Sequence, residues 1–591
     1  MRQRTPPEAA AAGLIPHSQF NRRLEADIMV SRRNFLVGSG AVILGSALAN
    51  STFSGIAHAA PQGGPAWLEK SVMYLLYPQT FADSDGDGIG DIKGIIGRLD
   101  YLKWLGVNLI WIPPIYPSPF KDAGYDVSDY KAVASRYGTL KDFETLVKTA
   151  REKGIRILLD LVAGHTSDQH PWFTASETDL KDGRYIWTGP DHADADDLPG
   201  NYVLREGSKR GAFLHNYYES QPALNYGFAR MDPEEPWRQT VDAEGPMANR
   251  AALQEIMKHW LDLGVSGFRC DMAFSLVKDD PGYAETSKIW RANRKWLDAN
   301  YPEAMLISEW GYAKQSIDAG FHADFFLHNL GSTSPDPTKG GAWNSLFLSG
   351  KDPYFSDSGS GSAKIFVDTW TQWSGDIRQR GGYIALPTGN FDDANRLNDG
   401  NRGTASLKSG LVLQLTWPTL PMIYNGEEIG MKMIKGLPNK EGSDDGDPDG
   451  DRQRNRTPMQ WDSTANAGFS KAPADKLYLP IDKDPKRPTV EAQQDDPDSL
   501  LCLVQRLIKL RKSETAFDPS SELRVLSTGY PFTYLRGDRY LVAVNPRRDA
   551  AEIVVDDARL GRARSVENVG TTIDGPRLQV DGFGFGIFDL S

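Results

Sequence analysis

The segment "DIKGIIGRLDYLKWLGVNLIWIPPI", Asp91–Ile115, joins an amphipathic stretch of helical period to a short apolar run. The first half has the spacing of a helix with one buried face, and the second has the composition of a strand buried on both sides. The same unit recurs outward in both directions. "SVMYLLYP" precedes it, and "LKDFETLVKTAREKG" and "IRILLDLVAGH" follow. Beyond a long polar stretch come "ALQEIMKHWLDLG", "VSGFRCDMAF", "KIWRANRKWLDANYP" and "AMLISEW". Buried strands alternating with helices make parallel βαβ units. The expected architecture is therefore α/β, a (β/α)8 TIM barrel over 64–510, whose active site lies at the carboxyl ends of the strands.

Two regions break the rhythm. From His165 to Tyr226 the chain is rich in Gly, Asp, His and aromatics, as in "WTGPDHADADDLPGNY". This exceeds an ordinary βα loop and predicts a small inserted domain, 166–228, after the third strand. Past "DSLLCLVQRLIKLRKSE", short runs such as "RVLSTGYPFTYLRGDRYLVAVNP" and "GFGIFDL" separated by turns predict a carboxyl-terminal antiparallel β-sandwich domain over 515–591. "NKEGSDDGDPDGDRQRN" is expected to be a surface loop.

A chain of 591 residues with 40% hydrophobic residues can bury a large interior. The formal charge of −12 and the lack of a long basic run argue against nucleic acid or an anionic membrane as partner. Two cysteines, Cys270 and Cys502, make no disulfide framework and lie in no metal-ligand cluster. Near the amino terminus "SRRNFLVGSGAVILGSALA" places Arg32 and Arg33 before a modestly apolar stretch, with "AHA" at Ala57–Ala59 as a cleavage site. Residues 1–59 are thus expected to be a twin-arginine-type export signal, with Met29 as an alternative start and a periplasmic or extracellular destination. No stable membrane span is expected after its removal.

The barrel directs attention to the polar residues closing each apolar run: Asp160 and His165, Arg269 and Asp271, Glu309, and the pair Asp392 and Asp393 in "NFDD". Each alone would serve as a helix cap or a solvated loop residue; four strands ending in carboxylates imply chemistry. Alternate strand residues face one side, so Arg269 is expected to hold Asp271 ionised, and Cys270 to point into the barrel wall. A separate acidic stretch, "DSDGDGIGD" (Asp83–Asp91), begins like an EF-hand but has Gly94 where the bidentate glutamate belongs, which leaves another kind of calcium loop or a solvated turn.

The blocks "YPQTFADSDGDGIGD", "GVNLIWIPPIYPSP", "DAGYDVSDY", "DLVAGHTSDQHPWF", "QPALNY", "GFRCD", "ISEW", "YNGEEIG" and "NRTPMQWD" together resemble the α-amylase superfamily of glycoside hydrolases. The likeness is nearest the branch of oligo-1,6-glucosidases, sucrose isomerases and trehalose synthases. It implies Asp271 as nucleophile, Glu309 as general acid/base and Asp393 as transition-state stabiliser. It further implies Asp122, Tyr125, His165, Arg269 and Arg456 as substrate contacts, and a structural Ca2+ held by Asp83, Asp85, Asp87, Asp91 and the carbonyl of Ile89.

Three positions depart from that family's pattern. "NFDD" stands where "NHD" is usual, so the histidine is replaced by Phe391 or Asp392, and one buried hydrogen bond to sugar, worth about 1–3 kcal/mol, is lost. Counting back from "LVLQLTWPTLPMIYNGEEIG" favours Asp393 as the catalytic member, and counting forward from "LPTGN" favours Asp392; Asp393 is taken here. Gly164 replaces the asparagine of "NH", and Ala223 an aspartate. The expected function is a secreted, retaining hydrolase of starch-derived or maltose-like α-glucosides. A transglucosylase or isomerase, and an inactive carbohydrate-binding relative, are the alternatives.

Overall fold

The computed structural model describes residues 63–591, except 193–200, 206, 327–344, 348–352, 357, 393–395, 399–403 and 443–451. Its centre is a closed barrel of eight parallel strands. In chain order β1 (Met73–Leu75), β2 (Leu109–Ile112) and β3 (Arg156–Val162) are followed by the hairpin β4 (Tyr202–Leu204) and β5 (Ala212–Leu214), which stands outside the barrel. The barrel continues with β6 (Gly267–Asp271), β7 (Met305–Ser308), β8 (Ala323–Phe325), β9 (Tyr383–Pro387) and β10 (Leu420–Tyr424). Strand β3 pairs directly with β6, so the segment carrying the hairpin is an insertion after the third strand.

The opening segment folds as its period requires. The Asp91 carboxylate caps the helix Ile92–Leu105 by accepting from the Gly94 N–H, and Gly106, at φ +100°, ends it in the left-handed conformation. Ile92, Ile95, Leu99, Leu102 and Leu105 form its buried face. The next helix, Leu140–Glu152, starts with a reciprocal capping box between Thr139 and Asp142. Gly267 opens β6 because a Cβ there would meet the Met305 carbonyl oxygen at 1.9 Å.

The carboxyl-terminal domain is antiparallel. Its strands β11 (Leu523–Ser527), β12 (Phe532–Arg536), β13 (Tyr540–Val544), β14 (Ala551–Val554), β15 (Arg564–Asp574) and β16 (Arg577–Asp589) belong to one hydrogen-bonded sheet. One face adds Phe532, Tyr534, Val542 and Ile587 to the core that contains the barrel; the other buries Leu541, Ala543, Leu578 and Val580 in a small separate cluster. Trp417, packed against Phe532 and Tyr534, fixes this domain to the barrel. Among the described residues no helix is long and apolar enough to cross a membrane. The proposed export signal lies outside them.

Candidate active site

One buried guanidinium organises the carboxyl ends of three neighbouring strands. Arg269 and Asp160 are register partners on β6 and β3. Arg269 Nη1 donates to Asp160 Oδ1 at 2.9 Å and Oδ2 at 3.0 Å, and to Asp271 Oδ1 at 2.9 Å. Its Nη2 lies 2.8 Å from Glu309 Oε2, which also accepts from the Met272 backbone N–H at 3.0 Å. Asp271 and Glu309, 38 positions apart in sequence numbering (309 − 271), therefore meet on one cation. Asp160 is completely buried and takes two further bonds, from Tyr125 OH at 2.8 Å and Trp111 Nε1 at 3.1 Å.

The electrostatics differ in one respect from the sequence expectation. Burial pushes the Asp271 carboxyl well up; Arg269 opposes this, while the Glu309 and Asp160 carboxylates push it further up. Burial likewise raises Asp160 to about 6 against the pull of Arg269. Arg269 thus does not by itself hold Asp271 in the ordinary range, because three carboxylates share a single positive charge in a dry site.

Around this centre stand the expected substrate contacts. His165 is buried, and burial pushes its pKa down to about 3, so the ring is neutral. Its Nδ1 lies 3.0 Å from Asn216 Nδ2, and its Nε2 is buried with no hydrogen-bond partner among the described residues. Asp122, raised by burial to about 6 against Arg452, accepts from Gln221 Nε2 at 2.7 Å. Tyr125 stands between Asp160 and Arg269. Arg456 donates through Nε to the Phe391 carbonyl at 2.8 Å and through Nη2 to Asp392 Oδ1 at 3.1 Å.

Asp393 lies outside the described residues. Asp392, the member set aside on the backward count, is at the site: Arg452 Nη1 reaches its Oδ1 at 2.9 Å beside Arg456. Burial would raise its pKa, but Arg452, Arg456 and Arg269 outweigh it and hold the carboxyl below its usual value. Phe391 joins an aromatic wall, with ring centres 5.5 Å from Tyr77, 5.8 Å from Trp111 and 6.1 Å from Tyr125. A ring fills the position of the missing histidine, and charged donors stand nearby: Arg456 Nη1 is buried with no hydrogen-bond partner among the described residues.

Two site residues were not singled out from the sequence. Arg452 belongs to the stretch expected to be a surface loop; the correction is that Arg452–Asn455 are buried, with the Arg452 charge pairing inward with Asp392 and Asp122. Its spacing of four residues from Arg456 was the available signal. Asn216 comes from the inserted segment and occupies the space beside Gly164, where a Cβ would sit 2.9 Å from its Nδ2. The amide missing at position 164 is thus supplied to His165 from elsewhere in the chain. Cys270 is fully buried and its thiol is pushed up by burial.

The acidic loop gathers Asp83, Asp85 and Asp91, with one carboxylate oxygen of each within 4.8 Å of the others. Asp83 also accepts from the N–H groups of Gly86 and Gly88. Asp87 is raised by its partial burial and by the neighbouring Asp85, Asp83 and Asp91 charges, although the Ile89 N–H bonds to it. Clustered hard oxygens under mutual repulsion fit a divalent cation such as Ca2+.

The family model for the alpha amylase catalytic domain matches residues 75–324 and 364–519. The chain is 31% identical over 510 residues to a trehalose synthase of Pimelobacter sp. strain R48, covering 77% of this chain and 81% of that protein. It is 30% identical over 500 residues to an oligo-1,6-glucosidase of Parageobacillus thermoglucosidasius, covering 76% and 84%. The fold is similar to that of isomaltulose synthase from Erwinia rhapontici NX5, with a TM-score of 0.72 at 23% identity over 89% of this chain and 99% of that one. With the barrel, the inserted hairpin and the carboxylate cluster at the strand ends, these matches place the chain in the α-amylase family of glycoside hydrolases as an enzyme of that family.

Proposed function

We propose that the chain cleaves α-glucosides by double displacement, with Asp271 as nucleophile, Glu309 as general acid/base and Asp392 as the carboxylate that stabilises the transition state. The observation that carries this reading is the single buried guanidinium holding Asp271 and Glu309 together. In the first step an Asp271 oxygen bonds to the anomeric carbon while Glu309 gives its proton to the departing glycosidic oxygen. In the second, Glu309 takes a proton from water, whose oxygen replaces Asp271 on the same face that the leaving group occupied. Configuration is retained. The buried His165 Nε2 and Arg456 Nη1 supply donors to sugar hydroxyls, and Tyr125, within the aromatic wall, faces the ring.

Maltose tests the reading. Free glucose is expected as the product. Trehalose or a new disaccharide would replace hydrolysis by glucosyl transfer, the activity carried in the name of the trehalose synthase relative; no turnover of any α-glucoside would overturn the enzyme reading.

The same reading assigns Ca2+ to Asp83, Asp85, Asp87, Asp91 and the Ile89 carbonyl. Bound there, the ion would offset the carboxylate repulsion and pin the loop that leads, through the Asp91 cap, into the helix Ile92–Leu105. Chelation is expected to lower the melting temperature by several degrees, with Ca2+ restoring it in the wild type and not in Asp85→Ala. A melting temperature indifferent to both would remove the ion from the account. Export through Arg32 and Arg33 is a further proposal that rests on the sequence.

A further inference from the structure

Strand β8 contributes a buried acid that the proposed mechanism does not use. Asp324 is fully enclosed next to β7, where Glu309 follows the last strand residue, Ser308. Its Oδ1 accepts from Ser308 Oγ at 2.8 Å and from the Trp310 backbone N–H at 3.0 Å. Its Oδ2 is buried with no hydrogen-bond partner among the described residues. The residues immediately before and after Glu309 are therefore tied to one side chain.

Among the described residues the Glu309 backbone is otherwise held from β6 and the turn that follows it, its N–H donating to the Cys270 carbonyl at 3.0 Å and its carbonyl accepting from Ala273 N at 3.3 Å. A buried carboxyl with neutral donors and no salt-bridge partner among the described residues is costly to keep, and burial pushes it up to about 7. Packing alone would be served at lower cost by an apolar side chain.

We propose that Asp324 is a positioning residue for Glu309, fixing the backbone on both sides of it so that its carboxyl meets the leaving oxygen. This rests on the reading of Glu309 as general acid. The step it supports is proton transfer to the departing oxygen, so its loss should scale with how much the leaving group needs that proton.

The test compares maltose, whose sugar leaving group must be protonated, with α-glucosyl fluoride, whose leaving group hardly needs it. In Asp324→Ala, kcat/KM for maltose is expected to fall about 30-fold or more while that for the fluoride stays within about 3-fold. Asp324→Asn, which keeps the Oδ1 acceptor, should recover most of the loss. Asp324→Leu, which fills the volume, should show the same split should the alanine variant fail to fold. Equal falls on the two substrates in the folded variant would overturn the proposal, since a merely structural residue damages both alike. A wild-type enzyme that consumes neither substrate would sink the glucosidase reading itself and this inference with it.

Discussion

Asp271→Asn is expected to lower kcat on maltose by about 10³-fold or more while leaving the protein as stable as the wild type or more so. The kinetic part follows from the attack step, for which an amide has no charge to offer. The stability part follows from the unliganded site. Burial and the neighbouring Glu309, Asp160 and Asp122 carboxylates push the Asp271 carboxyl up, so its ionised form is disfavoured before substrate arrives. An amide has the same shape, keeps an oxygen for the Arg269 Nη1 contact at 2.9 Å, and never ionises in the crowded cluster. Arg269 remains paired with Asp160 and Glu309. Steady-state kinetics and thermal melting on one preparation check both halves. Full activity would remove Asp271 from the role of nucleophile, and a large loss of stability would mean that its charge supports the fold rather than the reaction.

The second large effect separates the neighbouring aspartates of "NFDD". Asp392→Asn is expected to reduce kcat by about 10²–10³-fold on maltose and on α-glucosyl fluoride alike, whereas Asp393→Asn should change it by less than about 3-fold. A group that stabilises positive charge on the sugar must be ionised throughout, and it acts whatever the leaving group is. Asp392 meets the first condition because Arg452, Arg456 and Arg269 hold it below the usual carboxylate range despite burial. Removing it also leaves Arg452 and Arg456 without their shared anion, so this variant, unlike Asp271→Asn, should melt earlier. The opposite ranking of the two variants would restore Asp393.

The barrel was legible where a mainly apolar run closes on a polar residue, as in "IRILLD" and "GFRCD", since strands buried on both faces are written as near-continuous apolar runs. It was least legible at β8, whose three residues, Ala323–Phe325, have an aspartate in the middle. A run that short carries no period, and a charged residue at its centre argues against burial; here Ser308 on β7 and the Trp310 N–H just beyond it both donate to its Oδ1.

The site shows the same division. Asp271, Glu309, Arg269, His165, Asp122 and Tyr125 lie at strand ends or in the loops that follow, so their positions follow from the architecture. Arg452 and Asn216 depend on how distant loops return to the barrel mouth, and composition argued against the first: a charged, glycine-rich stretch is usually solvated. The expectation that Arg269 would keep Asp271 ionised identified the right pair, but strand alternation reveals nothing of Asp160 and Glu309 drawing on the same guanidinium.

The central claim is that Asp271 bonds to the anomeric carbon, and trapping that bond tests it most directly. A 5-fluoro α-glucosyl fluoride, which slows the second step more than the first, should inactivate the enzyme with a mass increase of one fluoroglucosyl unit per chain, located by peptide mass spectrometry on Asp271 and absent in Asp271→Asn. A label on another residue, or inversion of the product's configuration with no trapped species, would contradict the account.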